Sequence, residues 1–170
     1  MDLSSLSPFP EWEDEKYDVN EGDEWKSILK NEKAKKLYNQ WIQVFVLVES
    51  LCENLQPQPG KNPASSDVPV PGDYLEHLTE MMLADASLIP AKISGAEAGD
   101  LYILRMENAA IIRKAANDVM MQCSGFSMMG VANEDELEAV KREIEIFRDY
   151  FREWVASFEK DEYEDEWGLF

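Results

Sequence analysis

The chain carries few side chains with the chemistry for catalysis, and a single histidine, His77, is the first of them. An imidazole-based dyad or triad would have to use it, yet no serine or cysteine lies in a recognisable nucleophile motif. A di-iron bundle needs a Glu-x-x-His motif on each of two helices. Here Glu76 and His77 are adjacent and there is no second histidine. We therefore expect His77 to be an ordinary residue on a helix surface.

Paired carboxylates suggest a second chemistry, the Mg²⁺ binding of an all-α nucleotide pyrophosphatase. Such a site requires carboxylates at Glu-x-x-Glu and Glu-x-x-Asp spacings on facing helices. The pairs Glu49/Glu53 and Glu76/Glu80 are spaced four residues apart and do not match that pattern. No Gly-rich phosphate loop occurs either. The sequence therefore predicts no catalytic residue, no metal site and no cofactor.

The two cysteines, Cys52 and Cys123, lie within helical patterns and lack metal-ligand spacing. We expect both to be buried, reduced thiols. The first residues show neither a basic region nor an apolar core of a signal peptide, and the longest apolar run, Val44 to Val48, is too short to cross a bilayer. These features predict a soluble, cytoplasmic protein.

A third group of candidates consists of polar residues on or beside the apolar faces of predicted helices. Burying a charged group is costly unless it is paired and hydrogen-bonded, so these groups should find one another. We expect Arg105 to pair with Asp85 or Glu97, and Asn108 to be a satisfied amide beside them. The cluster is interpreted as a structural network, a polar patch at an oligomer interface, or a ligand pocket between helices. The candidate set is Asp85, Lys92, Glu97, Arg105, Asn108 and Arg148.

Four helical segments must position these residues. The first begins near Asp23 or Lys26, and its apolar residues recur at alternating steps of three and four, which keeps them on one face. They are Ala34, Leu37, Trp41, Val44, Val48, Leu51 and Leu55. Residues 56–72 hold five prolines and two glycines and predict a long connection. The second helix is predicted to start after Asp73 as N-cap and to kink or end at Pro90.

The third helix is predicted from Leu101 to Ser124, with Asp100 as N-cap and Gly125 just beyond its end. Its apolar arc is expected to include Leu101 and Leu104, and residues 125–130 are expected to form a turn. The fourth begins with Asn133 and Glu136 at the two positions of a capping box. No strand-like alternation appears, so the fold class predicted is all-α, an antiparallel four-helix bundle.

The acidity of the chain is concentrated at its two ends. The 170 residues have a formal net charge of −19, of which −8 lies in residues 1–24 and −5 in residues 159–170. We interpret these as two acidic, aromatic-bearing tails around a bundle domain at residues 25–158. The tails either dock on the body, stay free or recognise a partner. Nucleic acid and anionic membranes are excluded because both require cationic contacts.

A short motif carries a resemblance to a known family. Ile89-Pro90-Ala91-Lys92-Ile93, followed by Ser94-Gly95, and Gly125-Phe126 ending the third helix, resemble the bacterial 23S rRNA intervening-sequence family of four-helix bundles. That family has Asn where this chain has Lys92, and continues with Ala-Glu-Gly, which is missing here. The resemblance implies a four-helix bundle that assembles into oligomers. Segments 95–116 and 154–170 also resemble uncharacterised proteins of Bacteroidetes-type bacteria, which implies no function.

Three functional hypotheses follow. The first is a non-enzymatic protein-interaction or scaffold bundle that forms a homo-oligomer. The second is a small-molecule-binding or enzymatic bundle that uses the polar cluster between helices 2 and 3. The third is an acidic mimic or chaperone that binds a basic protein partner through its tails.

Overall fold

Four α-helices form the body of the chain in the computed structural model, which describes residues 3–12, 24–56, 71–163 and 165–168. They are α1 (Glu24–Glu53), α2 (Gly72–Glu97), α3 (Tyr102–Met129) and α4 (Glu134–Val155). They pack antiparallel: α2 lies against α3 and α1 against α4, and contacts of α1 with α2 and of α3 with α4 close the bundle. The described residues contain no strand. The predicted all-α four-helix bundle is therefore confirmed.

The core follows the apolar stripes of the helices. Every residue of the predicted α1 stripe is buried, and α4 buries Leu137, Val140, Ile144, Phe147 and Trp154. Burying one large apolar side chain contributes about 1.5–3 kcal/mol, so these stripes determine which sides of the helices face inward. Helix α1 begins at Glu24, between the two predicted starts. Of the predicted connection, residues 57–70 lie outside the described residues.

Helix α2 differs from the prediction at its start, and of the two outcomes predicted for Pro90, a kink or an end, the structure rules out the end. It begins at Gly72 with Pro71 as N-cap, so Asp73 lies in the first turn and is not the cap. Pro90 is buried and does not end the helix, which continues to Glu97. A proline leaves the carbonyl four residues earlier without its helical donor. That carbonyl belongs to Ala86, and the indole Nε1 of Trp41 donates a 2.8 Å hydrogen bond to it.

Helix α3 is longer than predicted, and the predicted turn at residues 125–130 is wrong. Gly125 lies inside the helix, which ends at Gly130, a left-handed residue with φ 62°. The extra turn buries Phe126, which outweighs the cost of about 1 kcal/mol for a glycine within a helix. Leu101 and Leu104, expected on the apolar arc, are instead exposed.

The N-terminal ends of α3 and α4 are capped in different ways. The predicted cap of α3, Asp100, is wrong: Leu101 is the N-cap and makes no side-chain cap bond. The amide of Tyr102 instead donates to Asp161 Oδ2 at 2.9 Å. In α4, Asn133 is the N-cap, as predicted, and accepts a hydrogen bond from the amide of Asp135.

The N-terminal arm, residues 3–12, lies along α1. Phe9 packs edge-on against Phe45 with ring centroids 4.7 Å apart, and the Tyr38 hydroxyl donates to the carbonyl of Pro10 at 2.8 Å. At the other end of the chain, Asp161 holds the C-terminal segment to the start of α3. Within the described residues, no helix is both long and apolar enough to cross a membrane.

Candidate functional site

A buried ion pair joins the end of α2 to the start of α3. Arg105 lies 2.9 Å from Glu97 Oε2, and the side chains are only 5% and 4% exposed. The four residues between α2 and α3 form a short connection that brings the two side chains together. This is the pair that the sequence predicted for Arg105, with Glu97 rather than Asp85 as the partner.

Both members of this pair have further partners. Glu97 Oε1 accepts a 2.9 Å hydrogen bond from Trp154 Nε1 of α4, and Arg105 Nε donates to the carbonyl of Ala96 at 3.1 Å. The guanidinium also lies 5.1 Å from the ring centroid of Phe158. Each carboxylate oxygen is therefore occupied, and three helices meet at one satisfied pair. We call Glu97, Arg105 and Trp154 the polar clamp.

The polar clamp has the properties of a contact that stabilises the packing of α2, α3 and α4. Charge-assisted hydrogen bonds are the stronger ones in proteins, and breaking a buried pair costs far more than an exposed one. Two cavities, of about 260 Å³ and about 290 Å³, are lined by other residues. In the described part of the chain, no group of three His, Cys, Asp or Glu side chains could hold a metal ion.

The other predicted members of the cluster are not part of this hydrogen-bond network, although Asn108 lies about one turn after Arg105 on α3. Asp85 accepts a 2.9 Å hydrogen bond from Gln122 Nε2, between α2 and α3. Asn108 donates to the carbonyl of Leu104 at 2.8 Å. Lys92 is half-buried on α2, and Arg148 forms an exposed pair with Glu145 on α4. The structure thus joins Glu97 and Arg105 and distributes the remaining four residues over the bundle.

The two cysteines are free thiols in apolar surroundings. Burial raises the pKa of Cys52 to about 12 and the pKa of Cys123 to about 11. Because the thiolate is the nucleophilic form, both groups are unreactive near neutral pH. Cys123 is buried as predicted, whereas Cys52 is half-buried and lies 4.0 Å from the Met82 sulfur. His77 is exposed on α2.

An apolar surface on the outside of α2 and α3 is the feature that the sequence analysis missed. Large apolar side chains are exposed there, at seven-residue steps along α2 and within each of two pairs on α3, Leu104/Ile111 and Met121/Met128. Leu104, expected on the apolar arc of the third helix, is one of them. The spacing itself was the available signal, because seven residues are close to two helical turns. The α2–α3 face comprises Tyr74, Met81 and Leu88 of α2, and Leu104, Ile111, Met121 and Met128 of α3.

A groove crosses this face between the two helices. It encloses about 290 Å³, and Leu88 and Ile111 form its walls, with Ala110 and Ala115 beside them. Charged groups also line it: Asp85, and Lys114 in an ion pair with Asp118. The α2–α3 face therefore combines exposed apolar side chains, a recess and charges of both signs.

Comparison with known proteins gives no relative: no family model, no curated protein and no solved structure matches the chain. The four helices agree with the bundle that the sequence resemblance implied, but no comparison identifies the 23S rRNA intervening-sequence family. Of the motif that carried this resemblance, Pro90 lies within α2 and Gly125 within α3, so neither marks a helix end.

Proposed function

We propose that this chain is a non-enzymatic bundle that acts through protein contacts and assembles as a homo-oligomer, with the α2–α3 face as its contact surface. The observation that supports this is the exposure of large apolar side chains on one face, with Met121 71% and Met128 73% exposed. Large apolar patches on a soluble protein are typical of interaction sites. The seven-residue spacing of Tyr74, Met81 and Leu88 is typical of helices that pack against other helices.

The two reduced cysteines support a cytoplasmic location for the proposed oligomer. Cys52 and Cys123 are both free, and free thiols persist in reducing compartments. We therefore place the assembly in the cytoplasm as part of the same proposal.

Sedimentation velocity of the full chain, over a concentration series from about 1 to about 100 μM, tests the proposal; these are the concentrations at which micromolar affinities are resolved. We expect an oligomer that dissociates on dilution. The substitution Met121→Glu should shift it towards monomer, because it places a charge in an apolar contact. Leu6→Glu is the matched control, since Leu6 is 67% exposed but lies in the N-terminal arm. A strict monomer at all concentrations would contradict the proposal.

A second function, binding of a basic partner by the acidic C-terminal segment, is favoured by a separate observation. Tyr163 is 67% and Trp167 87% exposed, and aromatic faces attract Lys and Arg side chains. Isothermal titration with an oligolysine peptide tests this, and Trp167→Ala should weaken binding while Leu6→Ala should not. Equal heats for the two variants would exclude an aromatic contribution.

A further inference from the structure

The exposed side of α3 has a pattern that is symmetric about the level of Ala116. Leu104 and Met128 lie twelve residues before and after it, Ile111 and Met121 five residues, and Lys114 and Asp118 two residues. At 100° per residue the four apolar side chains lie within an arc of about 120°. Ala116 itself is buried on the opposite side of the helix and only marks the level.

From this symmetry we infer that the partner on the α2–α3 face is a second copy of the same chain, with the two α3 helices antiparallel about a two-fold axis at the level of Ala116. In such a contact each residue i meets residue j of the other copy, and j meets i. The register places Leu104 opposite Met128 and Ile111 opposite Met121. Apolar side chains thus meet apolar side chains at all four positions.

Two of the three charges on the same side, Lys114 and Asp118, agree with this register, and the third, Glu107, lies opposite Gly125. Lys114 of one copy lies opposite Asp118 of the other, so opposite charges meet twice across the axis. Within its own chain Lys114 already pairs with Asp118, four residues later. In the dimer, the Lys114–Asp118 pair of one copy lies beside the same pair of the other copy, and the two pairs run in opposite directions along the helices. A register shifted by four residues would instead bring Lys114 level with Lys114, and like charges across a contact are unfavourable.

The groove supplies the steric part of the argument. Met121 of the second copy, opposite Ile111, reaches the recess of about 290 Å³ between Leu88 and Ile111. Methionine is flexible and fills irregular recesses well. The small side chains of Ala110 and Ala115 leave room for it. In the dimer, Met121 of each copy therefore projects into the recess of the other copy.

The net charge gives the dimer a salt dependence. Each chain carries a formal charge of −19, so two copies repel each other at long range, and added salt screens that repulsion. Dimerisation should therefore strengthen between low and physiological salt. Binding of a basic partner to the same face would weaken over the same range, which distinguishes the two occupants.

Disulfide trapping tests the register directly. The variants Ile111→Cys and Met121→Cys are prepared separately, mixed at equal concentration and oxidised. Cross-linked dimer should form in the mixture. It should not form from either variant alone, because two copies of one position would be about 15 Å apart along the helix, beyond the reach of a disulfide. The unsubstituted chain controls for Cys52 and Cys123. Equal cross-linking with each variant alone would overturn the inference.

Charge exchange provides an independent test that leaves the apolar contact intact. Lys114→Asp or Asp118→Lys alone should weaken dimerisation about tenfold or more, since each variant brings like charges together across the axis. An equimolar mixture of the two variants should restore the affinity. The matched control exchanges the exposed pair on α4, with Arg148→Glu and Glu145→Lys, and should leave dimerisation unchanged. Circular dichroism of each variant verifies that the helices are retained.

The inference rests on the proposed function, but the two can fail separately. A strict monomer would overturn both. An oligomer that is insensitive to Lys114→Asp and yields no Ile111–Met121 cross-link would overturn only the α3 register. A ring with an odd number of subunits would do the same, because an isologous contact joins copies in pairs.

Discussion

Trp41 of α1 supplies the hydrogen-bond donor that Ala86 of α2 lacks. Its indole Nε1 lies 2.8 Å from the Ala86 carbonyl, at a site where both residues are buried. Pro90, four residues after Ala86, has no N–H to donate in the helix. A buried carbonyl without a donor is costly, so this single contact allows α2 to continue through its proline while joining it to α1.

Trp41→Phe should lower the free energy of unfolding by about 2 kcal/mol or more, because it leaves the Ala86 carbonyl unsatisfied and removes buried apolar area. The loss should be about 1 kcal/mol smaller in a Pro90→Ala background, where the new backbone N–H bonds to Ala86. Urea denaturation of the four chains of this double-mutant cycle measures the difference. Identical losses in the two backgrounds would show that the hydrogen bond contributes nothing.

The two charges of the polar clamp should contribute to stability as a coupled pair. Glu97→Gln and Arg105→Met should each destabilise the fold by about 3–5 kcal/mol, since each leaves a buried polar group without its charged partner. The double variant should lose clearly less than the sum. Arg148→Met is the control, because its pair with Glu145 is exposed and should contribute within about 0.5 kcal/mol. Strict additivity of the clamp variants in urea denaturation would contradict the coupling.

The two glycines near the end of α3 should respond in opposite directions to alanine. Gly130→Ala should destabilise by about 1–2 kcal/mol, because φ is 62° and a side chain disfavours the left-handed conformation. Gly125→Ala should stabilise by about 0.5–1 kcal/mol, since a methyl group there meets no atom within 4 Å. Thermal unfolding of both variants makes the comparison. The reverse order would show that α3 ends at Gly125.

Stability should fall as the pH rises above about 9. Burial raises the pKa of Cys52 to about 12 and that of Cys123 to about 11, from an ordinary value of 9.0. Above pH 9 the unfolded chain therefore releases thiol protons that the folded chain retains, which favours unfolding. The contribution of the two protonated thiols to the free energy of unfolding is complete below pH 9, and it is lost as the pH rises through their pKa values in the folded chain. Urea midpoints between pH 7 and pH 10.5 should decline more steeply for the native chain than for a Cys52→Ala, Cys123→Ala variant. Equal slopes would assign the decline to other groups.

Periodicity was sufficient to predict the helices and most of their buried sides. The α1 stripe from Ala34 to Leu55 is buried throughout, because alternating steps of three and four drift by only about 20° per seven residues and so stay on one side over this length. The ion pair of Arg105 was also predictable, since a guanidinium within an apolar arc requires a carboxylate nearby. Spacing alone could not choose between Asp85 and Glu97. That choice depended on the short connection between α2 and α3.

Helix ends were less predictable, because they depend on partners that are distant in sequence. Asp100 has the side chain of an N-cap, yet the Tyr102 amide donates to Asp161, 59 residues further on. Gly125 is a residue type that often ends helices, yet the burial of Phe126 extends α3 to Met129, with Gly130 as its C-cap. Local propensities are worth about 1 kcal/mol or less, so a single buried aromatic side chain is enough to override them.

The sequence by itself determined the helical class, the apolar stripes and the need of Arg105 for a buried partner, since periodicity and the cost of an unpaired charge act locally along the chain. Only the tertiary structure decided that Pro90 lies inside α2, because the donor for Ala86 comes from Trp41 on another helix. Only it decided that Tyr74 and Leu104 are exposed. A helix with apolar residues on more than one side can face inward in more than one way. The neighbouring helices that cover it decide which side is buried.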